Sequence, residues 1–296
     1  MTIVRLDNEV YFKKAFTDPV VFRAFVKDIL GIEVDPPLIE TEKSFSPRVG
    51  DVAFKYDIFA DDPVNRVIVE IQKVEYDHNF DRFLHYHLQG ITEQQRTSSD
   101  YTVDRTVYTI VVMTAPYRLN KTTGRVIQDE VLISNLNPRT LKGAERDLYG
   151  HQLVFLNPNY KDSETPQNFR DWLDLIYESI HNPTHPNINL QNLGVKRAAE
   201  LVEDDNITPQ ERADSKFEVM HRTVLTLEKE EGIEIGKEMG IGIGKEMGKE
   251  EGERKKLVQL VISMKKNSLP NDTIAHIAGI TVEEVEQILA ENADLF

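Results

Sequence analysis

A mixed-sheet α/β domain followed by a charged, helical extension is the architecture this sequence predicts. Three observations point to it. Apolar runs of strand length alternate with helix-period segments over roughly the first 190 residues, the composition turns helical and charged from about 191, and glycine recurs at every fourth position from Gly232 to Gly252. With 296 residues, 40% of them hydrophobic, the chain is long enough for one full core and an appendage. The expected division is 1–190 for the main domain, 191–228 for a helical connector, 229–256 for the glycine-repeat helix and 257–296 for a small terminal module.

Near the start, "NEVYFKKAFTDPVVFRAFVKDILG" reads as two short helices, the second carrying Val21, Phe22, Phe25, Val26 and Ile29 on one face and stopping at Gly31. Strand-like runs come next: "VAFKYDIFA", "RVIVEIQ", "TVYTIVVMT", "VIQDEVLIS" and "HQLVFLNP". Between the second and third of these, Phe80, Phe83, Leu84, His87, Leu88 and Ile91 form a helical stripe. "PQNFRDWLDLIYESI" supplies a further amphipathic helix, and "HNPTHPNIN" reads as a loop.

In the extension, "KEEGIEIGKEMGIGIGKEMGKEEG" places Gly232, Gly236, Gly240, Gly244, Gly248 and Gly252 in register. Each glycine costs a helix up to about 1 kcal/mol relative to alanine. A repeat of four overshoots the helical turn by roughly 40°, so the glycines wind around the helix as a stripe that a second backbone can approach. Two readings stay open: a flexible linker, or self-association into a homo-oligomer. The final "SLPNDTIAHIAGITVEEVEQILAEN" reads as helix, Gly279 turn, helix, with Thr281 and Glu284 as a capping box. This has the outline of a helix-turn-helix, but Glu283, Glu284, Glu286 and Glu291 on its second helix would repel phosphates, which favours a packing or protein-contact module.

The net charge of −15 is the wrong sign for holding nucleic acid by bulk electrostatics, although a local basic groove or a bound divalent cation can reverse the field at a site. There is no cysteine, which excludes disulfides and thiolate metal sites. The start lacks a basic segment followed by an apolar core, and no apolar run is long enough to span a membrane, so the expectation is a soluble, cytoplasmic protein.

Glu70 and Gln72 interrupt an otherwise apolar strand, "RVIVEIQ". If "DPVN" is a hairpin loop, Asp61 faces Arg66, Phe59 faces Ile68, Asp57 faces Glu70 and Lys55 faces Gln72. Two carboxylates opposed at about 5 Å repel each other unless one takes up a proton or a hard cation sits between them. The structural alternatives are an ion pair of Glu70 with Lys55 or Arg66, or a solvated face. His85 and His87 are two apart on one helix and do not share a face, which argues against zinc.

Asp57 followed by Glu70-Ile71-Gln72 resembles the signature of the PD-(D/E)XK nuclease superfamily. "YDIFADDPVNRVIVEIQ" with "FDRFLHYH" more closely resembles the Rpn family of recombination-promoting nucleases and putative transposases, over roughly residues 8–180. The resemblance implies a restriction-endonuclease-like mixed sheet flanked by helices, and Mg²⁺- or Mn²⁺-dependent hydrolysis of DNA linked to transposition, recombination or defence. It implies that Asp57, Glu70 and the Ile71 carbonyl hold the metal. Gln72 stands where the superfamily usually has lysine, and Arg82 and Tyr86 match the family's R-x-x-x-Y as phosphate-handling residues, Arg82 restoring the charge that Gln72 lacks. Asp7 or Glu9 would be the additional N-terminal acid, and Asp51 is where relatives with a longer hairpin align theirs. The other function class is a nuclease fold without activity, serving as an assembly module through its C-terminal helices.

Overall fold

The computed structural model describes residues 1–45, 54–73, 79–95, 99, 101–117 and 127–292. Six strands form one mixed sheet in the order β1-β2-β3-β4-β6-β5. They are β1 (Ile39–Phe45), β2 (Phe54–Asp61), β3 (Asn65–Gln72), β4 (Thr106–Met113), β5 (Val131–Asn135) and β6 (Gln152–Leu156). The central pairs β3–β4 and β4–β6 are parallel and the outer pairs antiparallel, so the strands buried on both faces are the ones that read as continuous apolar runs.

α1 (Glu9–Phe16) and α2 (Pro19–Leu30) start where Asn8 and Asp18 accept hydrogen bonds from backbone N–H groups, and α2 stops at Gly31 in the left-handed conformation (φ 69°). The expected apolar face of α2 is buried throughout, against β2, β3, β4 and β6 together with α4 (Gln167–His181) and α5 (Leu193–Leu201). α5 contributes Val195, Ala198 and Ala199 to this core, and Val202 follows, so part of the stretch expected as connector closes the main domain. Gly194 allows that packing, because a Cβ there would meet Ala24 and, at 3.0 Å, the ring of Trp172.

α3 (Asn79–Thr92) connects β3 to β4 and covers the opposite face of the sheet. Its orientation differs from the expected stripe. Phe83, His87 and Gly90 are buried, whereas Leu84 and Leu88 are 43% and 41% exposed. Gly90 sets this rotation: a Cβ there would lie 2.9 Å from Ile68 Cδ1, so only a bare backbone allows the helix so close to β3. His87 packs in the core as expected, its Nδ1 2.9 Å from Thr109 Oγ1, and burial beside His151 lowers its pKa to about 4. Two strand expectations change. β1 is an unanticipated edge strand, and among the described residues of "VIQDEVLIS" strand begins at Val131, Val126 lying outside them.

The chain divides into two compact units, Met1–Met220 and His221–Phe296. α6 (Pro209–Lys266) begins in the first and continues into the second, where Val261 packs with Ile274 and Ala275 of α7 (Asn271–Ala278) and Val285 of α8 (Val282–Glu291). Gly279 ends α7 with φ 71°, and both bonds of the Thr281–Glu284 capping box form. No helix among the described residues is long and apolar enough to cross a membrane.

Candidate active site

The β2–β3 hairpin has the expected register, pairing Ile58 with Val69, Phe59 with Ile68 and Asp61 with Arg66. Asp62 sets the turn, its Oδ1 accepting from the N–H groups of Val64 and Asn65 at 2.8 and 2.7 Å. Continued one step beyond Ile58, the register brings Asp57 opposite Glu70, and there the backbone ladder gives way to side-chain bonds. The Asp57 N–H donates to Glu70 Oε1 at 3.1 Å, and the Ile71 N–H donates to Asp57 Oδ2 at 2.9 Å. Each acid is thus clamped to the opposing strand.

The ladder is also interrupted on the other side of Asp57. β1 pairs Thr41 with Ile58 and Lys43 with Tyr56, but Glu42, which lies between them, has φ 58° and leaves the register. Glu42, Asp57 and Glu70 therefore form a row of acids across three strands. Glu9 joins from α1, and one carboxylate oxygen from each of Glu9, Glu42 and Asp57 lies within 4.8 Å of the others. Lys13, one helical turn after Glu9, ion-pairs with Glu9 and Glu42 and places Nζ 3.8 Å from Asp57 Oδ1.

Burial and mutual repulsion act together on the two central acids. Glu70 is only 2% exposed, and desolvation followed by the charge of Asp57 raises its pKa well above the usual carboxylate value. Asp57 is raised by burial and then by Glu9, with the Ile71 N–H, Lys13 and Arg82 opposing. Both structural alternatives for Glu70 fail. Lys55 pairs with Glu42, Arg66 pairs with Asp61 and Glu93, and the carboxylate is not solvated.

On α3, Arg82 donates to Gln72 Oε1 at 2.8 Å and lies over the rings of Phe83 and Tyr86. Its Nε is buried with no hydrogen-bond partner among the described residues. The Tyr86 ring packs edge-on against Tyr56 and Phe83, and its backbone carbonyl accepts from the Tyr56 hydroxyl. Tyr86 therefore has a packing role whatever else it does.

Of the two N-terminal acids, Glu9 reaches this cluster, whereas Asp7 pairs with Arg5 and Lys73. His85 is exposed, and Asp51 lies outside the described residues. Sequence reasoning missed Glu42 and Lys13. Lys13 had a signal, since Glu9 and Lys13 are spaced i, i+4, but Glu42 sits in a polar "TEK" run with no periodicity to mark it.

These oxygen donors form an acidic cluster suited to a hard divalent cation. No curated protein and no solved structure gives a significant match to the chain. The family model described as PD-(D/E)XK nuclease family transposase matches residues 51–222, a span holding Asp57, Glu70, Gln72, Arg82 and Tyr86 and more than half of the chain. With a six-stranded mixed sheet flanked by helices and two acids clamped across its central hairpin, the chain belongs to the PD-(D/E)XK nuclease family transposases.

Proposed function

We propose that the protein is a Mg²⁺- or Mn²⁺-dependent endonuclease that hydrolyses DNA phosphodiesters at the Asp57–Glu70 site. The observation that carries this reading is the clamped pair itself: two acids with raised pKa values, one fully buried, held together by each other's strands against a mutual repulsion that a bound cation would relieve. Asp57 and Glu70 would hold the cation with the Ile71 carbonyl, and Glu9 is the acid placed to assist. A divalent cation bound there supplies Lewis acidity, lowering the pKa of water and offsetting charge on the phosphate.

The chain's own residues do the rest. Arg82 brings a positive charge near Asp57 and Glu70, and its hydrogen bond to Gln72 holds guanidinium and amide together where they can meet the scissile group. Gln72 can donate through its amide nitrogen while its oxygen accepts from Arg82. The positive charge that lysine would bring at position 72 comes instead from Arg82.

The test is a supercoiled-plasmid assay with Mg²⁺ or Mn²⁺, comparing the wild-type chain with Asp57→Ala. Cation-dependent nicking by the wild type, lost in EDTA and in the variant, is the expected result. A folded wild-type protein that leaves the plasmid intact under both metals would transfer the reading to a non-catalytic assembly module.

A further inference from the structure

Lys13 is the only lysine among the described residues that touches three site acids: its ammonium pairs with Glu9 and Glu42 and lies 3.8 Å from Asp57 Oδ1, on a side chain only 13% exposed. Glu9, Lys13 and Glu42 all lie N-terminal to the matched span 51–222, so this arrangement is added to the Asp57–Glu70 pair by α1 and the edge strand β1. We propose that Lys13 is a tethered counter-ion that holds the metal-free site together and competes with the divalent cation for the same carboxylates, a role that rests on the metal-site reading above.

Glu9, Glu42 and Asp57 outnumber the two ammonium groups paired with them, Lys13 and the Lys55 that meets Glu42, so an excess of negative charge remains and attracts a further cation; the Lys13 ammonium opposes the arrival of that cation at close range. It also occupies donor oxygens that a cation would need. Cation loading therefore requires Lys13 to release at least Asp57 and one of its two glutamate partners. Lys14, the next residue, makes the control: it pairs with Glu211 at 2.8 Å, and its loss removes the same charge from the same helix without touching the site acids.

The experiment is a calorimetric titration of the full chain with MnCl₂ alone, accompanied by thermal melting in EDTA and in Mn²⁺. Lys13→Met is expected to melt lower than wild type in EDTA, to bind Mn²⁺ about tenfold more tightly, and to gain more from the metal in its melting temperature. Lys13→Arg, which keeps the charge, should bind Mn²⁺ nearly as wild type does, and Lys14→Met likewise. If Lys13→Met does not fold, Lys13→Gln keeps a donor for the glutamates and carries the same expectation. Equal or weaker Mn²⁺ binding by the Met and Gln variants overturns the counter-ion role while leaving the site intact. Absence of Mn²⁺ binding by wild type and variants alike overturns the metal-site reading beneath it.

Discussion

Glu70→Gln separates the stability of the site from its function. The substitution keeps an oxygen to accept the Asp57 N–H, so only the charge-assisted part of that 3.1 Å bond is lost, about 1 kcal/mol. Against this, it removes the cost of holding an ionised carboxylate at 2% exposure beside a second acid, about 3 kcal/mol. The net is a gain of about 2 kcal/mol in metal-free buffer, or a rise of roughly 4–8 °C in melting temperature for a unit of this size. The pH dependence identifies the cause. A carboxyl whose pKa is raised in the folded state contributes its full stability below the unfolded value, about 4.3, and loses it as pH rises toward the folded one. The wild type therefore weakens with rising pH through a group that glutamine does not have. The advantage of Glu70→Gln should be near zero at pH 4, grow as pH rises above the unfolded value and level off once Glu70 is ionised in the folded state too, measured by circular-dichroism melts in EDTA. Plasmid nicking should be abolished in the same variant. An advantage that does not change with pH, or a variant less stable at every pH, would refute the idea that the charge of Glu70 is the burden.

Two further outcomes test the architecture. Gly194→Ala should destabilise the first unit by about 1–3 kcal/mol in denaturant melts, because the new methyl group meets Ala24 and the ring of Trp172 in the packed core. The repeat glycines behave oppositely: a Cβ added at Gly236, Gly240 or Gly244 meets nothing within 4 Å, so alanine at all three should raise helicity by circular dichroism. If the stripe mediates self-association, the same triple variant, and a chain ending at residue 228, should sediment closer to monomer than wild type. An unchanged mass by sedimentation equilibrium for the triple variant would leave the repeat as a linker.

Features encoded within a few residues along the chain are legible in its sequence. The stops at Gly31 and Gly279 and the Thr281–Glu284 box follow from local backbone chemistry. The hairpin register follows too, because a short turn and a period of two leave little freedom, and that register alone sets Asp57 opposite Glu70. Long-range packing decides the rest. The α3 stripe is misread because hydrophobicity marks which residues can be buried, while the close approach of Gly90 to Ile68 determines which face is. The strand character of "IETEKSF" is invisible because β1 is an edge strand with no fully buried residue. Glu42 therefore has no local pattern to mark it, and Lys13 looks like an ordinary partner of Glu9. Local patterning is enough to locate the two central acids and the strands that carry them. It does not reveal that a helix and an edge strand close around those acids with two more carboxylates and an ammonium, because these groups meet through the packing of elements distant in the chain, whose relative placement no short-range pattern encodes.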